Sequence, residues 1–129
     1  MEHIIEHQLL ERFIYAGRAN FTIEDKEFDT KLVVYVKENK TIPGLYWVRS
    51  NEQFLGTIFQ SRFIIKDNEQ NRLNRKAHAF MRFFILMLTN RLPETIVVYH
   101  HGTCGRCRRK LTDPESITTG IGPECVKKL

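Results

Sequence analysis

Three cysteines constrain this chain more than any other feature. Cys104 and Cys107 stand two residues apart, Cys125 follows in the same C-terminal stretch, and there are no others. An odd number leaves a disulfide framework with one thiol over. The opening run Met1-Glu2-His3-Ile4-Ile5-Glu6 is acidic and lacks the basic region and apolar stretch of an export signal. The expected setting is therefore the reducing cytoplasm, where clustered cysteines more often bind metal than pair. Two thiols separated by two residues can turn round one ion, with Gly105 letting backbone amides point at the sulfurs, and Cys125 adds a third thiolate. Structural zinc takes four donors in a tetrahedron from cysteine and histidine. His100 and His101 are the nearest candidates for the fourth. Successive strand side chains point to opposite faces, so only one of the two should reach the ion.

Two other readings of the thiols compete. A redox pair would sit at a helix start after a strand and would not require Cys125. Inert core cysteines leave three in one short segment to be explained by packing alone. A catalytic zinc would keep an open position for water beside a carboxylate base, and the His-x-Glu plus Pro-Cys-x-x-Cys deaminase signature is absent. The stretch between Cys107 and Cys125 reads as scaffold. Thr112 caps a short helix, with Pro114 in its first turn and Glu115 reaching back. Gly120 ends it. Pro123 then opens a last helical turn that puts Cys125 near a helix N-terminus, where a thiolate is favoured.

The 129 residues fit a single domain, 1–129, with a body over 1–99 and the zinc-binding segment over 100–129. The apolar spacing of Ile5, Leu9 and Phe13 predicts an amphipathic N-terminal helix over 2–16, stopped near Gly17. Alternation in Leu32–Val36, the Pro43-Gly44 turn and the aromatic run Leu45–Val48 predict an antiparallel β-meander over 20–66. Several of these strands are apolar on both faces, which suggests helices on one face and at least partial cover on the other. Ala77, Phe80, Met81, Phe84 and Leu88 predict a second helix over 70–91, buried nearly all round in its second half, where Arg82 is the only polar residue between Ala79 and Leu88. A short strand over 95–99 leads into the zinc segment. The fold class is α+β: N-terminal helix, antiparallel β-meander, buried helix and C-terminal zinc knuckle. The longest apolar run, Phe83 to Leu88, is far too short to span a bilayer.

The run Cys104-Gly105-Arg106-Cys107, then Leu111-Thr112-Asp113-Pro114-Glu115-Ser116-Ile117, then Gly120-Ile121-Gly122-Pro123-Glu124-Cys125, resembles the C-terminal zinc knuckle of a phage-rich domain family of unknown function. Phe54–Phe59 and Leu92-Pro93-Glu94 are similar to its N-terminal half. The resemblance implies a histidine ligand four residues before the first cysteine, which here is His100. Arg108 departs from the family, which usually has glycine there. The resemblance further implies a small phage-encoded accessory protein in the bacterial host cytoplasm. It is compatible with a zinc-containing type II-A anti-CRISPR protein: a non-enzymatic inhibitor that binds a Cas9-type defence effector and blocks target-DNA engagement.

The alternative partner is nucleic acid. The formal charge of +5 and a pI near 9.3 permit phosphate contact without establishing it. Arg106, Arg108, Arg109 and Lys110 form a basic strip beside the cysteines, with Lys127 and Lys128 nearby, and Arg106, Arg108 and Arg109 are the candidate partner-binding residues. Arg72, Arg75 and Lys76 form a weaker strip. The aromatics are expected in the sheet and helix core rather than exposed among these charges, which weighs against nucleic acid. His3 and His7, four apart on the expected helix, read as solvated. Glu24, Asp25, Glu27 and Asp29 read as turn charges. No phosphate loop, nucleophile elbow or carboxylate pair marks an enzyme.

Overall fold

The computed structural model describes residues 2–66 and 74–129. The chain runs β1 (His3–Ile5), α1 (His7–Ile14), β2 (Arg18–Asp25), β3 (Thr30–Glu38), β4 (Leu45–Ser50), β5 (Gln53–Phe59), β6 (Arg62–Ile65), α2 (Arg75–Leu88), β7 (Ile96–His100), α3 (Pro114–Thr119) and α4 (Pro123–Val126). The strands form one seven-stranded antiparallel sheet in the order β1-β7-β2-β3-β4-β5-β6. The expected meander accounts for β2 to β6. The chain then crosses through α2 and returns as β7 on the free edge of β2, and β1 closes that edge.

The N-terminal helix is shorter than expected because its first residues form β1. His3, Ile4 and Ile5 pair with His100, Tyr99 and Val98 of β7. This pairs the backbone groups along the β7 edge, which a helix end in the same place would leave open. Ile5 enters the core while Ile4 stays 61% exposed. The helical pattern resumes at His7 and buries Leu10, Phe13 and Ile14.

Residues 70–73 of the expected second helix, Arg72 among them, lie outside the described residues. The helix seen starts after Asn74, whose side-chain oxygen accepts from the Lys76 amide at 2.9 Å. Ala77, Phe80, Phe83, Phe84 and Met87 are buried, but Ile85 is 53% exposed and Ala79 and Arg82 face solvent. α2 is thus one-sided, not buried all round. It lies on the sheet like α1, and the composition of its second half exceeds what one face can hide. Phe80 joins the layers, with Phe63 at 4.9 Å edge-on and Phe84 at 5.9 Å stacked.

Strand alternation sorts the sheet into two faces. Ala19, Phe21, Val34, Val36, Val48 and Val98 point at the helices and are fully buried. β4 and β5 change register between Val48 and Arg49, and the extra residue, Leu55, turns into the core. Gly56 is required at this bulge: a Cβ there would stand 2.1 Å from the Ile64 carbonyl oxygen. The second face carries Thr22, Val33, Tyr35, Trp47 and Ile64. The cover over it is partial among the described residues: Thr22, against His101, is 4% exposed, while Val33 is 38%, Trp47 42% and Ile64 56% exposed. Among those residues no helix is long and apolar enough to cross a membrane.

Candidate metal centre

β7 delivers the chain to the cysteines, and its alternation splits the two histidines. His100 points into the helix-covered side and is fully buried. His101 turns to the open face, where its Nε2 lies 2.8 Å from the Thr22 hydroxyl. Beyond His101 the backbone folds into a tight knuckle. Thr103 bridges Lys110, the Cys104 amide donates to Arg109 O at 2.8 Å, and Arg108 donates back to Cys104 O at 2.9 Å. Arg108 has φ 66°, the left-handed conformation that glycine enters without penalty. That is the physical reason a glycine suits this position, and it makes the arginine a strained substitute.

α3 and α4 then bring Cys125 back. The α3 cap is one residue later than expected: Asp113, not Thr112, accepts from the Ser116 amide at 3.1 Å, and Pro114 follows it into the first turn. The Asp113 carboxyl is held below its usual range by these hydrogen bonds to Ser116. Gly120 ends the helix at φ 76° as expected. Pro123 opens α4, and Cys125 lies on it, buried.

The Sγ atoms of Cys104, Cys107 and Cys125 all lie within 4.8 Å of one another, although Cys125 is 18 residues beyond Cys107 in sequence. Cys104 and Cys125 are buried and Cys107 is exposed. Burial alone would raise the Cys104 thiol, but the amides of Gly122, Cys107 and Arg106 outweigh it and hold that thiol below its ordinary value. The Gly122 and Arg106 amides stand 3.2 and 3.4 Å from its sulfur. Burial and the two neighbouring thiols push Cys125 the other way. A sulfur that collects amide donors while its neighbours crowd it suits thiolates sharing one cation. The three cysteines can hold a metal ion.

His100 is not in that group. Its Nε2 lies 2.5 Å from Ile117 O, and the Gly102 amide donates to its Nδ1 at 3.0 Å. With Nδ1 accepting, Nε2 carries the proton and donates to Ile117. Burial depresses its pKa, partly opposed by the Ile117 hydrogen bond. Both ring nitrogens therefore serve the protein, tying α3 to β7. His101 is likewise engaged, on the opposite face. His3 and His7 do not share a helix: His3 packs 5.2 Å from the His100 ring, and His7 Nε2 lies 2.7 Å from Ile96 O.

Phe13 was not expected at this site. A Cβ at Gly105 would meet its ring at 2.8 Å, and one at Gly120 at 2.6 Å. Gly105 also donates to Gly120 O at 2.9 Å and accepts from the Arg18 amide at 2.6 Å. The glycine inside the cysteine turn is thus required by the close approach of α1, and its own amide goes to Gly120 O while Arg106 and Gly122 reach the Cys104 sulfur. The three cysteines open on a cleft of about 420 Å³ whose rim includes Arg106, Arg109, Asp113, Glu124 and Lys128. Arg108 leans away from this cleft, with its guanidinium 5.3 Å over the Tyr35 ring on the open sheet face.

A family model described as a family of unknown function (DUF6011) matches residues 97–129. These residues span β7, the knuckle, α3 and α4, the part of the chain that builds the thiol cluster. Neither the curated proteins nor the solved structures yield a match to this chain.

Proposed function

We propose that this chain is a non-enzymatic nucleic-acid-binding protein held in shape by zinc, with Cys104, Cys107 and Cys125 as the protein's ligands. Three clustered thiols match the donor preference of zinc among the common divalent ions. When bound, the ion cross-links the knuckle to α4 and supplies folding free energy rather than chemistry. His100 is the positioning residue of this arrangement. Acting as the fourth ligand through Nδ1 would require it to give up the Gly102 amide while Nε2 kept Ile117, whereas water or a carboxylate at the cleft needs no such loss.

The observation that carries the partner class is the Arg108–Tyr35 contact. It joins the basic strip of the knuckle to the open aromatic face of the sheet, so that cations and π-faces occupy one surface. Arg106, Arg108 and Arg109 are the phosphate contacts in this reading. The test is binding of fluorescently labelled nucleic acid, single-stranded and duplex, at a series of salt concentrations. Affinity should fall steeply as salt rises, because each phosphate contact releases counterions. Salt-insensitive binding, or none, would count against it. The inhibitor reading implied by the resemblance has a different signature. A Cas9-type effector would form a stable complex with the protein and lose DNA cleavage in a reconstituted reaction, without any requirement that free nucleic acid be bound.

A further inference from the structure

The helices α1 and α2 pack on one face of the sheet, and the other face is the open one. Tyr35 on β3 pairs across the ladder with Arg49 on β4, and Arg49 pairs in turn with Phe54 on β5. One row over, Lys37 pairs with Trp47. Directly opposed pairs share a face, so these side chains form two adjacent rows of alternating cations and rings. Tyr35 and Trp47 are diagonal neighbours within them, about 7–8 Å apart at the backbone. The cations already lie against the rings: the Arg49 guanidinium is 5.9 Å from the Tyr35 centroid and Arg108 is 5.3 Å from it on the knuckle side. Trp47 is 42% exposed.

Apolar area alone would suit many partners. The charge on these rows narrows the choice, because Lys37, Arg49 and Arg108 face a partner that must be anionic as well as planar. Single strands offer both, in alternation: bases stack on ring faces while phosphates meet cations. A duplex hides its base faces and can use only the cations. From this face we infer a platform for single-stranded DNA, with bases stacking on Tyr35 and Trp47 and phosphates held by Lys37, Arg49 and Arg108. We take DNA as the occupant, whose bases and phosphates are all that rings and cations engage, and the uridylate arm of the experiment separates it from RNA. The inference rests on the nucleic-acid reading above and adds to it the strand state, the nucleic acid and the side chains.

Trp47 is the only tryptophan in the chain, so its emission reports on the platform directly. The experiment titrates the intact, zinc-loaded chain with an oligothymidylate of about twelve nucleotides, with a duplex of equal length and with oligouridylate. The single DNA strand should quench Trp47 and bind at least about tenfold more tightly than the duplex. By anisotropy, Trp47→Ala and Tyr35→Ala should each weaken binding by about tenfold, while Trp47→Phe, which keeps a stacking face, retains most of it. Trp47→Ala should keep the parent melting temperature, which separates lost stacking from lost folding. Tight binding of duplex with no change in Trp47 emission, abolished by Arg106→Ala with Arg109→Ala but not by Trp47→Ala, would overturn the platform and leave the nucleic-acid reading standing. Uridylate bound tenfold more tightly than thymidylate would overturn the assignment to DNA. No binding to any of the three would remove both.

Discussion

The body and the knuckle are held together by different physics. In the body, strands and helices bury Phe13, Phe21, Phe80, Phe84, Leu55 and Ile58 completely, and each such side chain contributes about 1.5–3 kcal/mol. Beyond residue 100 the buried apolar side chains are Leu111, Ile121 and two of the cysteines. The remaining contacts there are turn hydrogen bonds and caps, each net-stabilising by only about 1 kcal/mol. A segment with so little apolar surface to hide needs a cross-link, and the three thiols sit where a metal would provide one. Tolerance to mutation should divide along the same line. Core truncations should weaken the body and spare the thiol cluster, and thiol changes should do the reverse.

The largest effect should come from removing a thiol. Cys104→Ser, or a strong chelator, should abolish one bound zinc per chain by elemental analysis and loosen the knuckle. Structural zinc in small modules supplies apparent binding free energies of about 10–16 kcal/mol. Hydrogen exchange should quicken for the amides of Cys104, Arg108 and Leu111 and stay slow in β3 and β4. A chain purified free of metal with a protected knuckle would break the comparison.

Next is Phe80→Ala. Phe80 is fully buried against Phe63, Phe83 and Phe84, and its truncation should cost about 3–5 kcal/mol in thermal or denaturant unfolding. Below the melting transition the variant should still carry its zinc. Loss of zinc in the folded variant would show that the two regions are one cooperative unit, with Phe13 as the obvious link.

How much of this was legible in the sequence follows the same division. The thiol cluster was legible because cysteine spacing is a local signal and three thiols in a short stretch have few other uses. The meander from β2 to β6 was legible because alternation and turn residues are local as well. β1 was not, since Ile4-Ile5 fits a helix face as well as an edge strand, and only the vacant edge of β7, about 95 residues away, decides it. The open sheet face was missed because Trp47, Tyr35 and Val33 look like core in a sequence, and exposure depends on whether any other element covers them. His100 is expected as a ligand from its resemblance to a family pattern, and no sequence shows that a carbonyl on α3 stands within reach of its ring. The role of Phe13 is a contact across most of the chain.

His100→Ala sharpens the comparison at smaller scale. The change removes two hydrogen bonds from a buried site and leaves Ile117 O unpaired. It should cost about 1–3 kcal/mol. Zinc content should remain one per chain, because the ring is positioned by the protein rather than by the ion. If zinc is lost while the body stays folded, His100 is the fourth ligand, with its Nδ1 on the metal in place of the Gly102 amide and Nε2 still on Ile117.

The smallest expected effect lies where the two regions touch. Arg108 holds φ 66°, which costs a residue with a Cβ roughly 1–2 kcal/mol and glycine nothing. The same residue places its guanidinium over Tyr35, an exposed cation–π contact of about 0.5–1 kcal/mol. Strain and contact oppose each other, and the strain is the larger. Arg108→Gly should therefore leave stability unchanged or raise it by up to about 1 kcal/mol in denaturant unfolding, net of the added flexibility that glycine gives the unfolded chain. Arg108→Ala keeps the strain, loses the contact and should be the less stable of the two. The pair of variants also separates stability from binding. If the knuckle and the open sheet face form one anionic-partner surface, both should lose affinity for single-stranded DNA by a similar factor, though only one loses stability. Equal stability of the glycine and alanine variants would mean that the knuckle relaxes its backbone at residue 108 in solution. The arginine would then be held there by its contact with Tyr35 alone.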